Sequence, residues 1–191
     1  AYWWTNGFWP GMMWLMYQGT KNEVYKETAE NAEILLDNAL RNYRRLHHDV
    51  GFVWLLSSGA NHRITGNQNS FTRTMHAAAS LAGRYKLGAG YIRAWNGEDH
   101  EGYAIIDCMM NLPLLYWAAM ELKDPRFKHI AIAHADKARE VFVRENGSVH
   151  HIIEFDPETG AIIGPRGGQG MQVGSAWTRG QSWALYGFTL S

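Results

Sequence analysis

Residues 25–43 read YKETAENAEILLDNALRNY, and this stretch sets the pattern that recurs along the chain. Its apolar side chains are spaced three or four residues apart, with charged residues on the opposite face. The apolar positions are Tyr25, Ala29, Ala32, Leu36, Ala39, Leu40 and Tyr43. This spacing is typical of an amphipathic α-helix that buries one side against a protein core.

Further helices are predicted downstream, and most of them carry a residue that starts or stops helices. They are a helix over about 49–63 that ends at Gly66, one capped by Asn67, one near 106–122, one that begins at Asp124-Pro125, and one from about Thr178. Pro113 lies inside the segment 106–122, so this helix requires either a first turn close to Pro113 or a kink.

The predicted helices form consecutive antiparallel pairs joined by short or glycine-containing loops. One segment interrupts them, because residues 149–164 alternate in polarity and contain Asp156-Pro157-Glu158-Thr159-Gly160, a turn signal. At least six helices suit a ring or solenoid of helix pairs better than a four-helix bundle. The chain is therefore predicted to be all-α, with a small β-hairpin near 149–164 and no second domain.

The composition excludes several classes of protein. Hydrophobic residues make up 46% of the 191 residues and charged residues 19%, which excludes a disordered chain. With 18 basic and 18 acidic residues, no net charge attracts the protein to nucleic acid or to a membrane. No apolar stretch is long enough to span a bilayer. The single cysteine, Cys108, cannot form an internal disulfide, so we expect the cytoplasm, with the periplasm as the alternative.

Two aspartates stand in apolar surroundings at predicted helix starts. Asp49 precedes Val50 and Phe52, and Asp107 follows Ile106. A charged carboxylate in such a place must be paired, hydrogen-bonded or protonated. In a ring of helix pairs every second helix begins at the same end, so both carboxyl groups would face one mouth and could divide into an acid and a base. The alternative is that each aspartate only caps a helix.

The tryptophan content and the histidine spacing indicate which kinds of ligand the protein could bind. The chain holds nine tryptophans, more than a core of this size needs, and tryptophan packs well on the C–H faces of sugars. The nine histidines show no zinc-binding spacing, so neither a metal nor another cofactor is expected. The glycine-rich segment 167–170 follows a hairpin instead of joining a strand to a helix, which argues against nucleotide binding.

Six segments carry a family resemblance: 4–11 (WTNGFWPG), 48–52 (HDVGF), 93–96 (RAWN), 106–115 (IDCMMNLPLL), 151–157 (HIIEFDP) and 177–184 (WTRGQSWA). In this order they resemble the unsaturated glucuronyl hydrolases of glycoside hydrolase family 88. The resemblance spans nearly the whole chain and about the first half of such an enzyme. It implies an incomplete (α/α)6 toroid, with residues 1–191 as a partial catalytic domain truncated at both ends. Apolar helix faces left exposed at the cut edge would favour pairing between copies.

The resemblance also implies a reaction and a set of site residues. These enzymes act on lyase-generated oligosaccharides whose terminal uronic acid has a C4=C5 double bond, and they hydrate this vinyl ether to release the sugar. Asp107 matches the catalytic acid/base, and Asp49 matches the second essential aspartate. The matching substrate-binding residues, including those expected to pack against sugar rings, are His151, Gln169, Arg179, Trp183, Trp95, Trp3 and Trp4.

The residue types suit these roles, although alternatives remain. The planar fork of Arg179 binds a substrate carboxylate well, and Trp183 lies one helical turn further on. A sister family of unsaturated rhamnogalacturonyl hydrolases performs the same reaction on pectin fragments. A non-catalytic sugar-binding toroid is the second alternative, and it would predict the loss of one aspartate. The acidic loop 97–101 departs from the family pattern and leaves the second sugar open.

Overall fold

The computed structural model describes residues 3–191. Within this range the seven α-helices are α1 (Phe8–Thr20), α2 (Glu23–Arg41), α3 (Ser58–Thr65), α4 (Gln68–Ala82), α5 (Leu112–Leu122), α6 (Pro125–Phe142) and α7 (Thr178–Leu190). Short 3-10 helices cover Trp4–Gly7, Tyr43–Arg45, Glu98–His100 and Ile106–Met110, and a π-helix covers Gly51–Leu55. None of the described helices combines the length and apolar character needed to cross a lipid bilayer.

The helices pack in two layers. Helix α1 packs on α2, α3 on α4 and α5 on α6, so consecutive helices form hairpins as predicted. The odd-numbered helices line a common apolar groove of about 440 Å³, to which α1 contributes Phe8, α3 Ile64, α5 Pro113 and α7 Tyr186. Helices α2, α4 and α6 contact one another in sequence order and form the outer layer. The main core lies between the layers.

The local signals that predict helix boundaries are confirmed. The side chain of Asn67 accepts a hydrogen bond from the backbone N–H of Ser70 at 3.0 Å and caps α4. Asp124 caps α6 in the same way. Gly66 ends α3 in the left-handed conformation, with φ of 76°, which glycine adopts without steric cost. Pro113 falls in the first turn of α5, as its position requires.

The prediction of one continuous α-helix over 49–63 is wrong. Residues Gly51–Leu55 form a π-helix, and α3 begins only at Ser58. The backbone N–H of Phe52 donates to the side-chain oxygen of Asn111 at 2.8 Å, and the Ser57 backbone between the two helices is not helical. The predicted helix 106–122 is also divided, into a 3-10 helix and α5. Both breaks lie beside the predicted carboxylates, where irregular helical turns are frequent in proteins.

The predicted hairpin is present but belongs to a larger sheet. Strands β4 (Ile152–Phe155) and β5 (Ile162–Arg166) pair antiparallel, and β3 (Tyr103–Ile105) pairs with the other edge of β4. A separate small sheet joins β1 (Tyr85–Lys86) to β2 (Tyr91–Ile92). Strands this short give no usable periodicity, so the sequence did not reveal β1, β2 or β3. Strand β3 leads directly into the 3-10 helix that carries Asp107.

Candidate active site

A cavity of about 460 Å³ brings together segments that are far apart in the sequence. Its walls are formed by Trp3, Trp4, His47, His48, Asp49, Trp95, Ile105, Asp107, His151, Gln169 and Arg179. Eight of the nine predicted site residues are among them, and Trp183 is not. A larger depression of about 850 Å³ lies between residues 5–9 and α2, but no carboxylate or imidazole lines it. The smaller cavity is therefore the candidate active site.

Asp49 is buried at one wall of the cavity, beside the imidazoles of His47 and His48. Its two carboxylate oxygens lie 3.2 Å from Nδ1 of His47 and 3.5 Å from Nε2 of His48. Burial alone would raise the pKa of Asp49, but His48, His47 and a hydrogen bond from the side chain of Asn111 outweigh it and lower the pKa below its usual value. Asp49 is therefore ionised at neutral pH.

Asp107 faces the same cavity in different surroundings. It lies in the first turn of the 3-10 helix, between the fully buried Ile106 and Cys108, and its side chain is 16% exposed. Its Oδ1 atom accepts no hydrogen bond from the described residues. Burial first, and then the charge of Asp49, raise the pKa of Asp107 to about 7, although Arg179 acts in the opposite direction. Asp107 is thus substantially protonated near neutral pH.

His151 lies next to Asp107 in a single tautomer. The backbone N–H of Gln169 donates to Nδ1 of His151 at 3.0 Å, while Nε2 lies 3.8 Å from Oδ1 of Asp107. Burial, followed by the charge of Arg179, lowers the pKa of His151 to about 4. The ring is therefore neutral, and its proton is on Nε2, facing Asp107. A β-carbon at Gly168 would lie 1.8 Å from this ring, so only glycine fits there.

Arg179 is held between aromatic rings at the opposite wall. Its guanidinium lies 4.5 Å from the centre of the Trp177 ring and 5.5 Å from that of Trp4, and it donates to the side-chain oxygen of Gln169. Its Nε atom has no hydrogen-bond partner among the described residues. A cation held at the cavity wall in this way suits an anionic ligand.

The remaining predicted tryptophans take different positions. Trp3 is 62% exposed, and Trp95 packs edge-on against His100 with the ring centres 5.4 Å apart. Trp183 is not among the wall residues, and its ring centre lies 6.4 Å from that of Trp4 and 5.2 Å from that of Phe52. Its side chain is nevertheless among the groups that lower the pKa of Asp107, and its expected role in substrate binding remains a prediction.

The sequence analysis assigned no role to several residues of the site. His47 and His48 hold Asp49, and Trp177 packs against both His151 and Arg179. The two histidines stand next to Asp49 in the sequence, which is a local signal, whereas nothing local marks Trp177. The alternative that Asp49 and Asp107 only cap helices is excluded, because no side chain caps the helices at 51–55 and 106–110.

His47, His48 and Asp49 are also the described residues that could hold a metal ion, because their ligand atoms lie within 4.8 Å of one another. Burial lowers the pKa of His48 to about 4, so its imidazole is neutral and already faces the Asp49 carboxylate. The expectation of no metal and no cofactor remains a prediction.

Known proteins are similar to this chain in sequence and in structure. Over 98% of its length the chain is 41% identical to an unsaturated glucuronyl hydrolase of Bacillus sp. (strain GL1). The chain is a homologue of the unsaturated glucuronyl hydrolases. It spans about half the length of the curated relatives it matches, 51% in the Bacillus protein. No family model matches the chain.

Solved structures of unsaturated glucuronyl hydrolases confirm the predicted fold class. An Asp-to-Asn variant in complex with dGlcA-Glc-Rha-Glc superposes with a TM-score of 0.92 at 40% identity, over 97% of this chain and 50% of that one. A variant from Streptococcus agalactiae in complex with dGlcA-GalNAc6S gives 0.79 at 33% identity, over 98% and 45%. The hairpins α1/α2, α3/α4 and α5/α6, followed by α7, form the corresponding part of the toroid.

Proposed function

We propose that the protein is an unsaturated glucuronyl hydrolase that removes an unsaturated uronic acid from the non-reducing end of lyase-generated oligosaccharides. The observation that carries the proposal is the pairing in one cavity of a carboxyl group with a pKa of about 7, Asp107, and an ionised one, Asp49. The complexes of related hydrolases with dGlcA-containing sugars support the substrate class.

In the first step, protonated Asp107 transfers its proton to C4 of the C4=C5 double bond. The electron pair of the double bond forms the new C–H bond, and positive charge develops at C5 and at the ring oxygen. The nearby anionic Asp49 stabilises this charge. Burial of Asp107, together with the charge of Asp49, raises the pKa of Asp107 so that its acid form is present near neutral pH.

In the second step, water adds to C5 and gives its proton to the Asp107 carboxylate, which restores the acid. The product is a hemiketal at C5. Cleavage of its bond to the ring oxygen gives a ketone at C5 and a hemiacetal at C1, and this hemiacetal releases the next sugar as the alcohol and leaves an aldehyde. The net reaction consumes water, and the enzyme returns to its starting protonation state.

The substrate carboxylate on C5 is matched by Arg179, whose guanidinium lies on the cavity wall between the rings of Trp177 and Trp4. Gln169, which accepts from Arg179, and His151, with its N–H directed at Asp107, provide polar contacts close to the reacting carbons. Trp3, Trp4 and Trp95 line the cavity as surfaces for sugar rings, and Trp183, which packs edge-on against Trp4, is a further proposed substrate-binding residue.

The test follows the ultraviolet absorbance of the unsaturated sugar. The full chain is incubated with unsaturated chondroitin disaccharide and, separately, with an unsaturated pectin-derived disaccharide. We expect loss of absorbance with the first substrate and none with Asp107→Asn. Faster loss with the pectin fragment would favour a rhamnogalacturonyl hydrolase. Binding without loss of absorbance would contradict catalysis and favour a non-catalytic sugar-binding protein.

We further propose that the 191 residues are part of one catalytic domain and that copies of the chain pair through exposed apolar helix faces. Leu35 on α2 is 77% exposed and Leu185 on α7 is 76% exposed, which supports this pairing. Analytical ultracentrifugation that finds only monomers at high concentration would contradict it. We propose the cytoplasm as the compartment, consistent with a single, fully buried cysteine.

A further inference from the structure

We propose that Asn111 is a positioning residue that holds Asp49 at a fixed place relative to Asp107, for the hydration reaction proposed above, on which this inference rests. Asn111 follows the 3-10 helix Ile106–Met110 and precedes α5, and it is completely buried. It lies outside the cavity wall, so it acts through the two aspartates and does not touch the substrate.

The side chain of Asn111 bridges the two segments that carry the carboxyl groups. Its Oδ1 accepts from the backbone N–H of Phe52 at 2.8 Å, and its Nδ2 donates to the backbone carbonyl of Asp107 at 3.2 Å. The same side chain is also among the groups that lower the pKa of Asp49. One amide group thus bonds to both segments, and Asn111 and Phe52 are 59 residues apart in the sequence.

The side chain of Asn111 is tightly packed against the backbone of Gly51. A β-carbon added at Gly51 would lie 2.7 Å from both Cα and Oδ1 of Asn111, so the backbone between Asp49 and Phe52 rests directly on it. The same bond to Phe52 accompanies the π-helix Gly51–Leu55. We infer that the π-helix, together with Asn111, positions Asp49 at the cavity.

The position requires asparagine for a chemical reason. Oδ1 accepts from one segment while Nδ2 donates to the other, and only a primary amide combines these properties at this length. An aspartate at position 111 could still accept from Phe52, but it could not donate, and its charge would oppose that of Asp49. Because the charge of Asp49 is one of the causes that raise the pKa of Asp107, a change at 111 reaches the acid indirectly.

The experiment compares Asn111→Asp and Asn111→Ser with the wild-type full chain, measuring kcat and KM for unsaturated chondroitin disaccharide across pH. We expect kcat to fall about tenfold or more, with KM little changed, and the acidic limb of the profile to move to higher pH in Asn111→Asp. Asn61→Asp is the matched control, because Asn61 is also buried but hydrogen-bonds to Thr65 on α3. It should lower stability without moving the limb.

A second readout does not depend on activity. Carbon-13 NMR of the aspartate carboxyl groups follows the titration of Asp49 in the full chain, and in Asn111→Ser we expect it to titrate at higher pH than in the wild type. Unchanged titration of Asp49 and unchanged pH limbs would overturn the proposal. A wild-type chain that never turns over the sugar would refute the proposed function alone, because the NMR titration would still decide the role of Asn111.

Discussion

Asp49 and Asp107 face one cavity, and both are largely buried, yet their pKa values move in opposite directions. Two imidazoles and an amide surround Asp49 and keep it charged. Oδ1 of Asp107 accepts no hydrogen bond from the described residues, and the pKa of Asp107 rises to about 7. The comparison teaches that burial by itself does not set the protonation state of a carboxyl group. The hydrogen-bond donors and the charges around the carboxyl group decide it together with burial.

The largest expected effect is at Asp107. Asp107→Asn removes the proton donor but preserves size, so kcat should fall by about 10³-fold or more. Initial rates of absorbance loss measure this, with substrate binding checked by calorimetry. Asp136→Asn, an exposed aspartate on α6, is the matched control and should leave the rate unchanged. A variant Asp107→Asn with near wild-type turnover would end the assignment of this residue as the acid.

Asp49→Asn should lower the rate by about 10²-fold, because it removes the charge that stabilises the developing cation. It also removes a cause of the raised pKa of Asp107. The acid form of Asp107 would then be lost at lower pH, so the alkaline limb of the kcat profile should move down. A limb that stays in place would mean that the two carboxyl groups do not interact.

Arg179→Gln should move the same limb the other way. The charge of Arg179 lowers the pKa of Asp107, so its removal should shift the alkaline limb to higher pH. KM should rise about tenfold, through the loss of a charge-assisted bond to the substrate carboxylate. Arg179→Lys is the companion variant, since it keeps the charge and should raise KM with less movement of the limb. Equal limbs in both variants would contradict the electrostatic reason.

The smallest expected effects concern stability. Substitution of the two aspartates by asparagine should change the free energy of unfolding in opposite directions. The folded pKa of Asp107 lies above its unfolded value, so its stabilising contribution is complete below about pH 4 and is lost as pH rises through about 7. Asp107→Asn should therefore increase the free energy of unfolding by about 2 kcal/mol at pH 8, and by less at pH 5.

Asp49 is the opposite case, because its folded pKa is lowered and its charged form contributes stability above the unfolded pKa. Asp49→Asn should therefore lower the free energy of unfolding by about 1 kcal/mol at pH 8. Urea unfolding of both variants at the two pH values measures the difference. If both substitutions change stability in the same direction, the contrast between the two environments is wrong.

Features of the fold that depend on neighbours along the chain were predictable. Asn67 and Asp124 cap helices because the groups they bond are two or three residues away, and Gly66 ends α3 through its own backbone freedom. The hairpin at 152–166 follows from alternation and from the turn at Asp156. The family motifs also indicated which residues would meet, and eight of nine line the cavity.

Other features depend on contacts between distant segments. No local pattern could predict the π-helix at 51–55, because it is accompanied by a bond between Phe52 and Asn111. The role of Trp177 and strand β3 were missed, since ring contacts and strand pairing are decided in three dimensions.

The sequence by itself determined the helix ends that are set by local caps, which faces are apolar, and which residue types are present for acid and base chemistry. Only the tertiary structure decided that one aspartate is charged and the other protonated. Propensity, capping and periodicity act over a few residues, whereas the proton affinity of a buried carboxyl group depends on every donor and charge that folding brings near it.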